Sequence, residues 1–236
     1  MLPMTLTETI LARASGRSHV APGEEIWAVA DRMIMNDSSG PRRIAGLVEE
    51  LGGLWDRDRV VLVSDHFVPA ANLRQSEIVR TTRRWAEQQE LRSFFEYQGI
   101  LHNIVLERWL ARPGMLLVGA DSHTVSAGAV GAVAVAVSST ELATVLATGQ
   151  IWLRVPETVR IDLTGALRPG VAMRDVTFRL LGDLGLQYAS YRALEIGGAF
   201  AASLSVEQRL VLCNQGIEMG AKNAIVEPSG ALREAM

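Results

Sequence analysis

Two short groupings of Asp and His are the part of this sequence best suited to proton transfer. Asp65–His66 and Asp121–His123 (Asp-Ser-His) each follow directly on a run of mostly apolar residues. A carboxylate beside an imidazole stabilises the protonated ring and fixes its tautomer, which makes the ring a better proton donor. These residue types at this spacing therefore predict two general acid–base groups.

The same residues have a structural alternative. Asp, Ser and Thr routinely start loops and cap helices, because their side chains form hydrogen bonds with nearby backbone groups. A single Asp/His pair would leave the catalytic and the structural explanations in balance. The same arrangement occurs twice in this chain, after two separate apolar runs, and the repetition favours a functional site.

Three further residues carry weaker signals. His102 is flanked by apolar residues, as a hydrogen-bonded core histidine would be, and its segment fits either a helix or a strand. Glu218 lies in the last turn of a predicted helix, where the helix dipole disfavours a carboxylate, and this unfavourable position hints at a functional role. Cys213, on the same helix, is most simply a small buried hydrophobic residue.

The elements that must position the two Asp/His groups are strands. Segments 59–64 and 115–119 are short apolar runs, which are typical of strands buried on both faces of a parallel sheet. Strand patterns at 159–164 and 224–226 and several helical patterns alternate with them, so we expect an α/β fold, with a mainly parallel sheet and helices on both faces. The predicted helices cover 5–14, 41–51, 73–91, 139–148, 175–184 and 206–219.

The carboxyl ends of these strands define the expected site. Ligands of open α/β proteins bind in the crevice outside that edge of the sheet. If strands 59–64 and 115–119 lie adjacent or nearly so, both Asp/His groups face one crevice, with His102 and Glu218 at its wall. Gly128 and Gly131 could present backbone N–H groups to an anion there, or could serve helix–sheet packing.

Composition limits the class of protein. The 236 residues, 48% hydrophobic and 21% charged, fit one globular α/β region over 1–236 with no evident internal boundary. A net charge of -3 lacks the basic excess of nucleic-acid binders. The single cysteine excludes a disulfide within the chain and fits a reducing cytoplasm. We read no signal peptide and no membrane span, so we expect a cytoplasmic protein.

Taken together, the motifs resemble the aconitase superfamily, and most closely the large subunits of 3-isopropylmalate dehydratase and homoaconitase. The most specific strings are Gly119–Thr124 (Gly-Ala-Asp-Ser-His-Thr) and Asn214–Ala221, within the longer match Cys213–Asn223. The other matching segments are Asn36-Asp37, Asp65-His66 with Pro69, Gly99–His102, Pro113-Gly114, Gly128–Gly131, Ala147–Gly149, Val155–Glu157, Leu163–Gly165 and Leu194-Glu195. The resemblance covers nearly the whole chain and implies the N-terminal α/β region of such a subunit, without the family's cluster-cysteine and C-terminal swivelling portions.

The resemblance implies a hydro-lyase that removes and adds water on a 2-hydroxy di- or tricarboxylic acid, such as isopropylmalate. In such enzymes the residue that matches His66, supported by Asp65, protonates the leaving hydroxyl. The other catalytic residues that it implies, which hold the hydroxyl or water or lie in the same hydrogen-bonded shell, are His102, Asp121, His123 and Glu218. The substrate-binding residues that it implies are Ser122, Thr124 and Asn214.

The resemblance also implies a 4Fe–4S cluster, which in the family is held by three cysteines that lie beyond the matching part. This chain has only Cys213, at a position that is not a cluster ligand in the family, so we expect no cluster or metal ion held by this chain alone. We therefore expect a partner chain that carries the cluster cysteines, a small subunit, or self-association. The expected ligand is a small carboxylic acid, with no nucleic acid and no membrane.

Four functions remain open at this point. The chain could be one part of a split hydro-lyase, or a cluster-free hydro-lyase or isomerase that uses the Asp/His groups directly. It could be a non-catalytic binding or assembly subunit, although seven polar groups that are awkward to bury argue against this. A zinc hydrolase built on three of the histidines ranks last, because their spacing is unlike that of zinc sites.

Overall fold

Ten strands form three sheets in the computed structural model, which describes residues 3–230 and 232. The strands are β1 (Glu25–Val29), β2 (Arg32–Asn36), β3 (Val60–Ser64), β4 (Ser93–Glu96), β5 (Leu116–Gly119), β6 (Val133–Ala136), β7 (Gln150–Arg154), β8 (Thr158–Asp162), β9 (Ala193–Gly197) and β10 (Asn223–Val226). The central sheet has five parallel strands in the order β4-β3-β2-β5-β6. The expected α/β fold with a mainly parallel sheet is confirmed.

Two smaller sheets flank the central one. Strands β8, β9 and β10 form a second parallel sheet in the order β10-β9-β8, and β1 pairs with β7 in an antiparallel ribbon. The side-chain oxygen of Asn223, in β10, accepts a hydrogen bond of 2.9 Å from the backbone of Ala134, in β6. This bond joins the second parallel sheet to the edge of the central sheet.

Eight α-helices accompany the sheets within the described residues. They are α1 (Leu6–Ala14), α2 (Pro41–Glu50), α3 (Leu73–Gln88), α4 (Leu101–Glu107), α5 (Ser139–Thr148), α6 (Met173–Leu184), α7 (Ala199–Ala202) and α8 (Val206–Asn214). The 3₁₀ segments are Arg57–Arg59, Ser122–Val130 and Gln215–Met219. Among residues 3–230 and 232, none of the helices combines the length and the apolar composition that a membrane span requires.

Most helix ends follow from their capping residues. The side chains of Thr5, Ser138 and Ser205 each accept a backbone N–H from three residues along, in capping boxes at α1, α5 and α8. Two predictions need correction. The helix expected over 206–219 is α-helical only to Asn214 and continues in 3₁₀ form, and the helix expected over 175–184 begins two residues earlier, at Met173.

Both faces of the central sheet are buried. In β3, Val60 and Leu62 belong to a core shared with helices α1, α2 and α5, whereas Val61 and Val63 belong to a core shared with α4 and α8. Successive residues of a strand point to opposite faces, so a continuous apolar run is what two covered faces require. The predicted helices on both faces are confirmed.

The strands that carry the two Asp/His groups lie close together. Strand β2 lies between β3 and β5 and pairs in parallel with both. The expectation that these two strands are adjacent or nearly so, and parallel, is therefore confirmed. Strand β2 itself was not predicted, although its carboxyl end lies between those of its two neighbours.

Gly128 serves packing between elements. A Cβ atom at this position would lie 1.7 Å from the carbonyl oxygen of Ala224 and 3.0 Å from the Cα of Ile225, both in β10. The 3₁₀ segment Ser122–Val130 therefore packs directly against the backbone of that strand. Of the two roles considered for this glycine from the sequence, the structure supports close packing and not anion binding.

Candidate functional site

The site lies where three parallel strands end. Asn36 is the last residue of β2 and Asp37 follows it, Asp65 and His66 follow β3, and Asp121 comes two residues after the last residue of β5. Parallel strands deliver the residues beyond their carboxyl ends to one edge of the sheet. The crevice predicted for the two Asp/His groups therefore includes the end of a third strand.

His66 is held through Nδ1. Its Nδ1 lies 2.7 Å from Asp65 Oδ1, and the second oxygen of Asp65 accepts the backbone N–H of Leu101 at 2.7 Å, at the start of α4. An ionised carboxylate can only accept hydrogen bonds, so Nδ1 of His66 carries a hydrogen. When the ring is neutral, Nε2 is therefore the nitrogen without a hydrogen. The His66 side chain is 43% exposed, so Nε2 is open to a substrate.

Asp37 anchors the backbone around His66. Its side chain is fully buried, and its two oxygens accept the backbone N–H groups of His66 at 3.1 Å and Phe67 at 3.2 Å. Burial raises the pKa of Asp37, while these backbone hydrogen bonds lower it in part. The position of His66 is therefore fixed on both its backbone and its side chain.

Asp121 is the centre of the second group. Its Oδ1 lies 2.9 Å from His102 Nε2 and accepts the backbone N–H of His123 at 2.9 Å, and its Oδ2 accepts Asn36 Nδ2 at 3.1 Å. Burial alone would raise the pKa of Asp121, but the hydrogen bonds from His102 and His123 lower it to about 2. Asp121 is therefore an ionised carboxylate at neutral pH.

The two groups meet across a short gap. His66 Nε2 lies 4.0 Å from Asp121 Oδ2, which is beyond hydrogen-bonding distance. The rings of His102 and His123 are 6.3 Å apart between centroids, and Ser122 Oγ lies 3.1 Å from His123 Nδ1. The geometry supports a proton donor at His66 that faces an ionised, hydrogen-bonded carboxylate across the crevice.

The hydrogen bond from His66 to Asp65 changes the acidity of the ring. This bond is the largest influence that raises the pKa of His66, with smaller contributions from the charges of Asp65, Asp37 and Asp121, while burial lowers it in part. The ring therefore keeps its proton to higher pH than an ordinary histidine. This property suits a group that must be protonated near neutral pH before it donates.

Replacing Asp65 with asparagine is expected to lower the pKa of His66, as measured by NMR titration of the isolated chain. The folded pKa of the wild type lies above the ordinary value of 6.5, so protonation stabilises the fold below that pH. This contribution is lost as the pH rises through the folded pKa, and D65N should lack it. The exposed Asp162→Asn is the control, and an unchanged His66 titration in D65N would contradict the assignment.

The remaining predicted site residues differ in position. Thr124 is fully buried and its hydroxyl donates to the carbonyl of Asp121 at 2.6 Å, which favours a structural role over substrate binding. Asn214, at the end of α8, donates to Ser126 Oγ at 3.0 Å. Glu218 is exposed in the 3₁₀ segment after α8, and within the described residues no hydrogen bond joins it to the Asp/His groups.

Asn36 and Asp37 were not predicted as site residues. They are among the segments that carry the resemblance to the aconitase superfamily, but the resemblance assigns them no role. Their sequence signal is that two polar residues directly follow an apolar run of three, Met33–Met35, and in the structure the two are 1% and 0% exposed. Buried polar side chains need hydrogen-bond partners, so this pattern could have marked them.

A metal site at these residues is not supported by the hydrogen bonding. Asp37, Asp65 and His66 offer ligand atoms within 4.8 Å of one another. Both oxygens of Asp37 and one of Asp65 already accept backbone N–H groups, and the other oxygen of Asp65 holds the His66 ring. Among the residues described, His66, His102 and His123, on which the last-ranked zinc hydrolase would depend, do not form such a group.

Cys213 does not suit an iron–sulfur cluster. It lies in α8, fully buried, and burial raises the pKa of its thiol to about 12. Cluster ligands are thiolates, and a 4Fe–4S cluster needs several of them. This chain has one cysteine where a cluster needs several, and that cysteine is inaccessible. The residues present therefore do not fit a cluster.

Comparison with known proteins assigns the family. The model of the aconitase family (aconitate hydratase) matches residues 8–234. The chain belongs to the aconitase family. The match covers nearly all of the described residues, and the resemblance drawn from the sequence motifs is thereby confirmed.

Curated relatives within the family are large subunits. The chain is 41% identical over 235 residues to a probable methanogen homoaconitase large subunit of Methanothermobacter thermautotrophicus, covering 97% of this chain and 55% of that protein. It is 42% identical over 229 residues to the 3-isopropylmalate dehydratase large subunit of Herpetosiphon aurantiacus, covering 96% and 54%. The match to the 3-isopropylmalate dehydratase large subunit of Aquifex aeolicus is 41% over 228 residues, covering 95% and 52%. The chain spans about half the length of these relatives.

Proposed function

We propose that this chain is the part of a hydro-lyase that protonates the leaving hydroxyl of a 2-hydroxy di- or tricarboxylic acid. The observation that carries the proposal is the convergence of two Asp/His groups, with His66 Nε2 4.0 Å from Asp121 Oδ2 at one edge of the sheet. The relatives named as 3-isopropylmalate dehydratase and homoaconitase large subunits support this reaction class. An isopropylmalate or a homologue of it is the proposed substrate.

The proposed proton transfer uses Nε2 of His66. When the C–O bond of the substrate breaks, the departing oxygen takes the Nε2 proton and leaves as water, and the imidazole becomes neutral. Asp65 favours the protonated ring before this step, because it accepts a hydrogen bond of 2.7 Å from Nδ1. Asp121, hydrogen-bonded to His102, is placed to accept a hydrogen bond from the released water.

The reaction also needs a base and further substrate contacts. Elimination of water requires removal of a proton from the neighbouring carbon, and we propose that a partner chain supplies the base that removes it, together with the cluster cysteines.

Exposed apolar side chains near the site support the proposal that another chain covers this edge of the sheet. Leu73, at the start of α3, Tyr97, after β4, and Ile100, before α4, are 91%, 61% and 59% exposed. Such exposed apolar residues often mark a surface that another chain covers.

The partner can be tested by purification. The tagged chain is co-expressed with its neighbouring reading frames, where any of them encodes a cysteine-bearing chain, and the purified material is analysed for protein, iron and sulfide. We expect a complex in which iron and sulfide are present, and an isolated chain that is colourless and lacks both. An isolated chain with about four irons would contradict the proposal. Dehydration of isopropylmalate by the iron-free chain would instead favour the cluster-free hydro-lyase.

A further inference from the structure

The Asp121 carboxylate lies between two side chains that could bind the same oxygen. Its Oδ2 accepts Asn36 Nδ2 at 3.1 Å, and His66 Nε2 lies 4.0 Å from the same oxygen. A small rotation of the carboxylate could exchange the first contact for the second. The structure holds the arrangement in which Nε2 of His66 stays free.

The Asn36 amide is fixed in this orientation. Its side-chain oxygen accepts three hydrogen bonds, from the backbone N–H groups of Ser38 and Ser39 and from the Ser39 hydroxyl, at 2.9 to 3.0 Å. Because the oxygen is committed to these donors, the amide nitrogen must point towards Asp121. Asn36 is 1% exposed, so water does not compete for this amide.

His66 is fixed on the other side of the gap. Its Nδ1 bonds to Asp65, and its backbone N–H bonds to the buried carboxylate of Asp37. His102 and the backbone of His123 hold only Oδ1 of Asp121. The bond from Asn36 is therefore the contact that keeps Oδ2 of Asp121 in place.

We propose that Asn36 is a positioning residue that holds the Asp121 carboxylate out of hydrogen-bonding range of His66, so that Nε2 stays free to protonate a substrate. The inference rests on the proposed function of His66 as the proton donor. Without Asn36, Oδ2 of Asp121 turns towards the ring and both ring nitrogens bond to carboxylates. The proton on Nε2 is then shared with Asp121 and is held more tightly.

The titration of His66 reports this contact. The charged or titratable groups around His66 and Asp121 are Asp65 after β3, Asp37 after β2, Asp121 after β5, His102 on α4 and His123 in the following 3₁₀ segment. Loss of the Asn36 side chain changes no charge among them. A rise in the His66 titration midpoint therefore reports a carboxylate that has moved closer.

The test is an NMR titration of the histidines in the isolated chain, with the His66 signal assigned from H66A. The variant Asn36→Ser keeps an oxygen for the turn at Ser38 and Ser39, but its side chain is too short to reach Asp121. Asn72→Ser is the matched control, because Asn72 caps α3 and serine is an equally good cap. Asn36→Ala is the second variant, and the spread of amide signals verifies folding of each.

We expect a higher His66 midpoint in N36S and N36A than in the wild type and N72S. Adding Asp121→Asn should abolish the increase, so that N36S/D121N titrates as D121N alone. A His66 midpoint in N36S equal to that in N72S would overturn the proposal, as would an increase that persists with D121N. This titration needs no activity, so a failure of the proposed function is distinguishable from a failure of the positioning role.

Discussion

Replacing His66 with alanine is expected to lower kcat of the assembled enzyme by about 10²- to 10⁴-fold, the usual contribution of a general acid. Donation of a proton to the leaving hydroxyl acts mainly in the transition state, so KM should change little. The side chain is 43% exposed and, among the residues that the structure describes, its ring is hydrogen-bonded to one side chain, that of Asp65, so the fold should tolerate the change. Steady-state kinetics of substrate dehydration measure both constants.

His19→Ala is the control for this variant. His19 is exposed, and it lies in the segment between α1 and β1. Its removal should leave both constants at their wild-type values. If H66A turns over substrate as fast as H19A, His66 is not the proton donor.

Replacing Gly128 with alanine is expected to destabilise the chain by about 3 kcal/mol or more, through overpacking. The added Cβ would lie 1.7 Å from the carbonyl oxygen of Ala224. The backbone on both sides of this contact belongs to regular elements, the 3₁₀ segment Ser122–Val130 and strand β10. Neither a side-chain rotation nor a small local shift relieves such a contact. The free energy of unfolding, from urea denaturation followed by circular dichroism, gives the measurement.

Gly46→Ala is the matched substitution at an open position. Gly46 lies in α2, is exposed, and would place its Cβ in open space, with no atom within 4 Å. Alanine is the better helix former, so G46A should stabilise the chain by about 0.5 to 1 kcal/mol. A G128A variant as stable as the wild type would show that the 3₁₀ segment does not pack against β10 in this way.

Elements with a local signal were predicted and those without one were missed. Capping boxes marked α5 and α8, and unbroken apolar runs marked β3 and β5. Strand β2 begins with Arg32 and ends with Asn36, so its apolar run has only three residues. Strand β9 contains Glu195, which is buried because its carboxylate accepts the first N–H groups of α1. The buried polar side chains of Asn36 and Glu195 are stabilised by hydrogen bonds to residues that are distant in sequence.

The site residues likewise divide into those with a local sequence signal and those without one. The Asp/His groups could be predicted, because carboxylate and imidazole are neighbours in the sequence and follow recognisable strands. The contacts of Asn36 with Asp121, and of His102 with Asp121, depend on which strands and helices lie side by side. No spacing rule gives these distances, since 85 and 19 residues separate the partners. These two contacts became evident only from the folded arrangement.

The most direct test of the central claim is the rate of substrate dehydration in defined mixtures. This chain, the proposed cysteine-bearing partner chain and the two together are assayed with isopropylmalate, by the ultraviolet absorbance of the new carbon–carbon double bond. We predict dehydration only in the mixture, and its loss when H66A replaces the wild-type chain. Equal rates for the cysteine-bearing chain with and without this chain would contradict the claim that this chain supplies the proton donor.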